Sequence, residues 1–481
     1  MCGIAGFLNP RNNDKKTEKE IYQILKKMNE VQRHRGPDDE GIFLENGCAL
    51  GHVRLSILDL YRGHQPMCKK KEGNTYAIIL NGEIYNMKTL KEQLIKEGEM
   101  FSTTSDTEVV LTGYIRYGIS YIEELNGIFS IALWDGKRKK LYLIRDRVGV
   151  KPLFYTKRGD TLIFASEIKG LFAYPGVKPV INREGLCEIF GLGPAKSYGK
   201  GVFKDIYEVL PGHFLEYDRE GLKDRAYWEL KAKEHTDSEK DTIEHTRWLV
   251  KDAVEMQMLS DIPISTFLSG GVDSSLVTAI CAKKLQKEGK NLNTFSFDFV
   301  NNHKYFKSNA FQPSEDRPWV DKMVDHAKTD HRYLECDNEN MIENLYKAVD
   351  ARDLPCMADV ESSMLYFCSK VVKYNKVTLT GECADEIFGG YPWFERSELL
   401  EADTFPWCPD LEFRRAVVKP ELWESLQVED YVQARYQQSL AEMPALPGEA
   451  LWERRRREVG WLSLNWFMST LLDRKDRMSM A

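Results

Sequence analysis

The sequence predicts two domains of different class, a layered α+β domain followed by an α/β domain built on a parallel sheet. A chain of 481 residues, 42% of them hydrophobic, exceeds what one ordinary core holds. Residues 1–217 read as short strands broken by turns. Beyond residue 241, strand and helix alternate, which implies right-handed crossovers and a parallel sheet.

In the first domain, apolar runs predict strands over Cys2–Leu8, Tyr76–Leu80, Phe129–Trp134, Leu141–Arg145, Leu162–Ala165 and His213–Tyr217. Thr17 and Glu20 form a capping-box pattern, and Ile21, Ile24, Leu25 and Met28 recur on one helical face behind it. A second helix is predicted over Asp106–Tyr117. Helices outside and strands inside make a layered domain.

Residues 218–241 are charge-dense and poor in aliphatics, so a linker is expected there, between domains at 1–217 and 242–481. In the second domain, Ile264–Leu268, Thr294–Phe299 and Val377–Thr380 read as strands, and Ser274–Lys287 and Pro318–Ala327 as helices. Leu276, Val277, Ile280 and Cys281 are expected on the buried side of the first helix. The polar stretch Asn301–Arg317 reads as a lid over a site.

A balance of 67 Lys+Arg against 74 Asp+Glu, net −7, gives no footprint for non-specific nucleic-acid binding. The basic run Arg454–Arg457, between Trp452 and Trp461 on a predicted helix, reads as a solvated face. No run approaches the roughly 20 apolar residues that span a bilayer, and the first residues lack a signal-peptide pattern, so a cytoplasmic protein is expected. The ten cysteines form no CxxC pair and no zinc-ligand spacing, so reduced, mostly buried thiols are expected.

Two constellations carry chemistry. Cys2 follows the initiator Met, whose removal would leave a thiol beside a free α-amine. An α-amine ordinarily titrates at about 7.7–8.0, so it could activate the thiol without any histidine. Four polar clusters follow at strand ends: His34-Arg35-Gly36-Pro37-Asp38, Arg54-Leu55-Ser56-Ile57, Asn81-Gly82-Glu83-Ile84-Tyr85-Asn86 and Ser105-Asp106-Thr107-Glu108. Sites are built on such loops. Taken singly, Arg54 and Asp106 would read as salt-bridge partners and Asn81-Gly82 as a hairpin turn.

In the second constellation, the strand Ile264–Leu268 runs into Ser269-Gly270-Gly271-Val272-Asp273-Ser274 and then a helix. Unpaired N–H groups and the positive dipole end converge there, which suits a polyphosphate. No GK[ST] follows, so it is not a Walker A loop. Downstream, Val377–Thr380 opens into Gly381-Glu382-Cys383-Ala384-Asp385-Glu386, and ligands of a parallel sheet bind beyond such strand ends.

Cys2 with the four clusters resembles the class II glutamine amidotransferase domain, an N-terminal-nucleophile hydrolase of αββα layers. SGGVDS in its strand–loop–helix setting resembles the PP-loop of ATP pyrophosphatases, an adenine-nucleotide α-hydrolase-like fold. In this order, the two resemble glutamine-hydrolysing asparagine synthetase.

The resemblance implies that Cys2 attacks the glutamine amide while Asn81 and Gly82 supply the oxyanion hole. It implies that Arg54 binds the glutamine α-carboxylate and that Glu83 and Asp106 face its α-ammonium. Ser269, Gly270, Gly271 and Ser274 would hold the pyrophosphate, with Leu268, Phe297, Thr380 and Gly381 completing the ATP site. Asp273 and Asp385 would share Mg²⁺, and Glu382 would assist at the acyl-adenylate. The substrates implied are glutamine, aspartate and ATP, with ammonia passing through an internal channel; a homodimer is left open, and no nucleic-acid or membrane partner is expected.

The chain departs from the family in two places. Asp353–Ser363 is acidic and lacks the arginine that members use to bind the acceptor. Leu471–Ala481 matches a motif after which members continue through a helical stretch carrying a phosphate-contacting lysine, so a chain incomplete at its C-terminus is expected. Two other readings stay open: an amidotransferase or ring-closing synthetase with another carboxylate acceptor, and a non-catalytic glutamine or nucleotide sensor.

Overall fold

The computed structural model describes residues 2–11, 16–308 and 312–481. These divide into two compact units, one of residues 2–189, 196–229 and 480–481, the other of residues 190–195 and 230–479.

The first unit holds two six-stranded antiparallel sheets. One contains β1 (Gly3–Leu8), β2 (Asp39–Glu45), β3 (Cys48–Arg54), β8 (Phe154–Arg158), β9 (Thr161–Ala165) and β10 (Tyr207–Glu208), in the order β10-β8-β9-β1-β3-β2. The other contains β4 (Met67–Lys71), β5 (Asn74–Ile84), β6 (Gly127–Asp135), β7 (Lys140–Arg145), β11 (His213–Asp218) and β12 (Gly221–Ala226), in the order β12-β11-β7-β6-β5-β4.

Alternate side chains of each sheet point into one shared core. Ile4, Leu8, Leu50 and Phe164 of the first pack with Ile79, Ala132, Trp134 and Leu143 of the second. Each such burial contributes about 1.5–3 kcal/mol for a large aliphatic or aromatic side chain. Outside, the helix Glu18–Glu30 lies on β1 and β3, and Asp106–Tyr117 on β4 and β5. The layers are therefore αββα. The expected capping box forms: Glu20 Oε2 accepts from the Thr17 N–H at 2.7 Å, and Thr17 Oγ1 from the Glu20 N–H at 3.3 Å.

The expected linker is in part a strand. Asp218–Gly221 turns back, and β12 pairs antiparallel with β11. Its side chains are largely exposed at the sheet edge, where charge protects a strand from aberrant pairing, so its composition mimics a linker.

The second unit holds a parallel sheet of β13 (Ile264–Phe267), β14 (Asn293–Phe299), β15 (Asp330–Cys336) and β16 (Val377–Leu379), in the order β15-β14-β13-β16. The chain steps outward from β13 to β15, then returns to β16 on the other side of β13. That reversal is a topological switch point, where the loops leaving neighbouring strands diverge and open a crevice.

The buried stripe of the helix Val272–Lys287 is Ser274, Thr278, Cys281 and Ala282. Leu276 is exposed, contrary to the apolar pattern. Thr278 takes the inward position because its hydroxyl meets that of Thr266 on β13 at 2.9 Å. The helix Leu451–Leu462 carries the run Arg454–Arg457, and only part of it is a solvated face. Arg457 Nη2 lies 2.6 Å from Glu449, and Arg455 Nη1 donates to Tyr436 and Glu458 at 3.0 Å. All ten cysteines are free; five are buried, Cys68 is exposed and four are half-buried. No helix among the described residues is long and apolar enough to cross a membrane.

Candidate active sites

In the first unit, Cys2 stands just before β1, Arg54 ends β3, and Asn81, Gly82 and Glu83 lie in β5. Asp106 opens the helix capped by Ser105, whose Oγ accepts from the Thr107 N–H at 3.2 Å. The Cys2 N–H donates to Asn81 Oδ1 at 2.9 Å, which ties the leading end of one sheet to the other. Cys2, Arg54, Gly82, Glu83 and Asp106 line a single small cavity with Gln65 and Thr107. Asn81 is wholly buried just behind it.

Gly82 has φ +148°, and a Cβ there would stand 2.0 Å from the Ile128 carbonyl oxygen. Only glycine fits that conformation beside β6. The Arg54 guanidinium is fixed by Nη2 donating to the carbonyls of Leu58 at 2.9 Å and Asp59 at 2.7 Å. Asp106 accepts from the Ile84 N–H at 3.0 Å and the Thr107 N–H at 2.8 Å. Burial raises its carboxyl, and those N–H groups oppose the rise. Burial pushes Glu83 up to about 7, and the nearby Asp106 adds to the shift. A fixed cation and two carboxylates line this one cavity, as a zwitterion requires.

Two supports were not foreseen as site residues. Arg35 Nε donates to the Cys2 carbonyl at 3.0 Å, and Arg35 pairs with Glu167 at 2.9 Å, both side chains buried. Gln65 Oε1 accepts from the Leu80 N–H at 2.7 Å, beside Asn81. Arg35 lies in a cluster singled out by the sequence, and Asp38 of that cluster accepts from the Ser56 N–H at 2.8 Å. Gln65 carries no sequence signal.

In the second unit, a cavity of about 500 Å³ opens at the switch point. Leu268, Ser269, Gly271, Asp273, Ser274, Phe297, Thr380, Gly381, Glu382 and Asp385 all line it. Gly270 does not: it is turned against Trp319 and Val320 at φ +80°. The loops after β13 and β16 meet closely, since a Cβ on Gly381 would stand 2.8 Å from the Ser274 nitrogen. Ser274 Oγ accepts from the Ser269 N–H at 3.1 Å and shapes the loop. Phe297 stacks on Phe367 with ring centres 4.1 Å apart and meets the edge of Phe267 at 4.7 Å. Asn302, Gln312, Glu315, Asp316 and Arg317 of the expected lid stretch line the same cavity; residues 309–311 of that stretch lie outside the described residues.

Glu382 is bound to two cations that the sequence did not mark for it, Arg474 at 2.6 Å and Lys475 at 2.8 Å. Burial works to raise its carboxyl, but Lys475 and Arg474 outweigh burial and hold it below the usual range. Asp385 is raised by burial and then by the facing charge of Asp273. Two carboxylates in mutual repulsion suit a hard divalent cation, which takes one or two carboxylates and completes its shell with phosphate oxygens and water.

The acidic segment 353–363 does not line this cavity. Glu361 pairs with buried Arg352, and Asp353 lies 3.6 Å from buried Arg477. Asp353 and Glu361 answer internal arginines and Asp359 is exposed, so the segment does not set the character of the cavity.

An αββα unit with a cysteine at its leading strand, joined to a parallel-sheet unit with a phosphate loop at its switch point, defines the class of two-domain glutamine amidotransferases. Residues 1–228 match the glutamine amidotransferase domain family and residues 245–481 the asparagine synthase family. The chain is 45% identical over 482 residues, 100% of its own length and 78% of the relative's, to the glutamine-hydrolysing asparagine synthetase 3 of Bacillus subtilis. It is 35% identical to asparagine synthetase 2 of the same organism over 81% of this chain and 52% of that one. Among solved structures, the glutamine phosphoribosylpyrophosphate amidotransferase of B. subtilis is similar at 17% identity and a TM-score of 0.37, over 69% of this chain and 81% of that one. The chain belongs to the family of glutamine-hydrolysing asparagine synthetases.

Proposed function

We propose that the protein makes asparagine from aspartate, glutamine and ATP in the cytoplasm. Freed of Met1, Cys2 would carry an α-amine whose pKa lies near neutrality. That amine takes the thiol proton as Sγ attacks the glutamine side-chain amide. The oxyanion is met by the Gly82 N–H and the Asn81 side-chain amide. The α-ammonium of Cys2 returns that proton to the amide nitrogen as the intermediate collapses, which expels ammonia and leaves a thioester that water cleaves to glutamate. Arg54 holds the α-carboxylate, and Glu83 and Asp106 the α-ammonium.

In the second unit, the aspartate β-carboxylate attacks the α-phosphorus of ATP and displaces pyrophosphate into the loop of Ser269, Gly271 and Ser274. Ammonia then attacks the β-aspartyl adenylate and releases AMP. Ammonia kept from bulk water stays unprotonated and nucleophilic. Asp273 and Asp385 would hold Mg²⁺, which when bound neutralises phosphate charge. Phe297, Leu268, Thr380 and Gly381 bound the adenosine end, and Glu382, held ionised, lies beside the reacting carboxyl. A homodimer is compatible with this chemistry.

The observation that carries the reading is the meeting of Cys2, Arg54, Gly82, Glu83 and Asp106 from separate strands and a helix around one cavity. The test is pyrophosphate release from MgATP across a panel of amino acids, with glutamine or ammonium as nitrogen source. Aspartate alone should respond. Cys2→Ala should lose the glutamine-driven reaction and keep the ammonium-driven one; glutamine turnover undiminished in that variant would refute the assignment.

A further inference from the structure

The cavity of the second unit is rich in carboxylates: besides Glu382, which is paired with Arg474 and Lys475, Asp273, Asp298, Glu315, Asp316, Asp385 and Glu386 line it, against Arg317. ATP, its proposed occupant, is also an anion. Cationic groups must enter with it, and the pair Asp273 and Asp385 accounts for only one.

Glu386 stands apart from the other carboxylates. It is 2% exposed and lines the cavity. Its Oε1 accepts from the Tyr391 hydroxyl at 2.5 Å. Tyr391 is itself fixed, stacked on Trp393 with ring centres 4.2 Å apart and meeting the edge of Phe467 at 5.2 Å. Glu386 Oε2, in contrast, is buried with no hydrogen-bond partner among the described residues. A buried carboxylate oxygen left unpaired is costly, more so than a neutral acceptor. One oxygen is clamped by a rigid phenol while the other has no partner among the described residues, so the group is preorganised for an arriving donor.

We infer that Glu386 Oε2 receives the α-ammonium of the amino-acid acceptor activated in this cavity, with Tyr391 setting the direction of the carboxylate. This rests on the synthetase reading proposed above. An ammonium offers three N–H donors and a full charge, and it would settle the buried oxygen and offset part of the acidity of the lining together. The same contact explains selection of an amino acid over the corresponding plain diacid, since a site built around a buried polar group rejects the analogue that leaves it unpaired.

The experiment compares aspartate with succinate, which lacks only the amine, in pyrophosphate release from MgATP by the full chain supplied with ammonium. The wild type should prefer aspartate. Glu386→Gln should raise the aspartate KM at least about tenfold, leave the ATP KM within about twofold, and shrink the aspartate-over-succinate preference by a similar factor. Tyr391→Phe keeps the charge and frees its direction, so it should raise the aspartate KM less and retain most of the preference; it also supplies the readout if Glu386→Gln does not fold. An aspartate KM unchanged in either folded variant overturns the inference, as does a preference unchanged in folded Glu386→Gln. So does an effect confined to the Mg²⁺ requirement or to the ammonium KM. A wild type that fails to respond to aspartate at all overturns the synthetase reading instead.

Discussion

Gly63 presses against the guanidinium of Arg54: a Cβ on this glycine would stand 2.1 Å from Arg54 Nη2. That nitrogen is the one held by the Leu58 and Asp59 carbonyls, so it cannot yield without leaving both. Gly63→Ala should displace the fork proposed to read the glutamine α-carboxylate. We expect the glutamine KM of the glutaminase reaction to rise roughly tenfold, about 1.4 kcal/mol, with little change in ammonium-driven synthesis. Steady-state kinetics with each nitrogen source checks this; equal KM values would show that Arg54 does not bind substrate.

Gly82→Ala meets two obstacles at once. Its φ of +148° disfavours any side chain, and the Ile128 carbonyl would be 2.0 Å from the new Cβ. Relief requires β5 to part from β6 in the core of its sheet, at a cost of about 2–3 kcal/mol. Urea unfolding should register that loss, and, with Gly82 in its proposed oxyanion role, the surviving folded enzyme should hydrolyse glutamine at least a hundredfold more slowly, since one oxyanion donor is worth about that much.

Glu83 introduces a pH dependence near neutrality. Its carboxyl is pushed up to about 7 by burial, so it is mostly neutral below that pH and ionised above it. In the proposed binding mode the glutamine α-ammonium stays charged throughout and is attracted only by the ionised form of Glu83. The glutamine KM should therefore fall as pH rises from about 6 to 8. Glu83→Gln should flatten that slope, and a slope that survives the substitution assigns it to another group, such as the Cys2 amine.

What was legible in the sequence was local. The apolar runs holding Ile4, Leu8 and Phe164 mark strands, and Thr17 with Glu20 marks a helix start, because both patterns are set by neighbours a few residues away. The PP-loop motif and the strand before it place the second site for the same reason. Contacts across long separations left no trace: Arg35 on Glu167, and Arg474 on Glu382, are joined only by the completed fold. β12 was lost because an edge strand with exposed charges has the composition of a connector. Leu276 misled because apolar periodicity does not reveal that a threonine pair, Thr266 and Thr278, would occupy the inner face.

The acidic segment after residue 352 should prove structural. Glu361 and Arg352 form an ion pair with both side chains almost fully buried, and breaking such a pair from one side costs about 3–5 kcal/mol. Glu361→Gln should lower the urea midpoint strongly while leaving the aspartate KM of the folded fraction unaltered. A specific rise in that KM with normal stability would return the segment to the acceptor site.

Lys475 controls the ionisation of Glu382. The amine sits 2.8 Å from one carboxylate oxygen while Arg474 holds the other. Glu382 is buried, which favours its neutral form, and these two cations reverse that preference. With its carboxyl held below the usual range, Glu382 is ionised throughout about pH 6 to 8 and contributes no slope there. Lys475→Met removes the stronger of the two opposing charges, so burial regains ground and the carboxyl rises. The variant should then lose activity as pH falls and recover part of it as pH rises. Exchange of labelled pyrophosphate into ATP with aspartate and no nitrogen source isolates this step from both Cys2 and ammonia. A wild-type profile that is flat beside a variant profile that climbs with pH supports the coupling, and two parallel profiles would mean that Lys475 serves the phosphates alone.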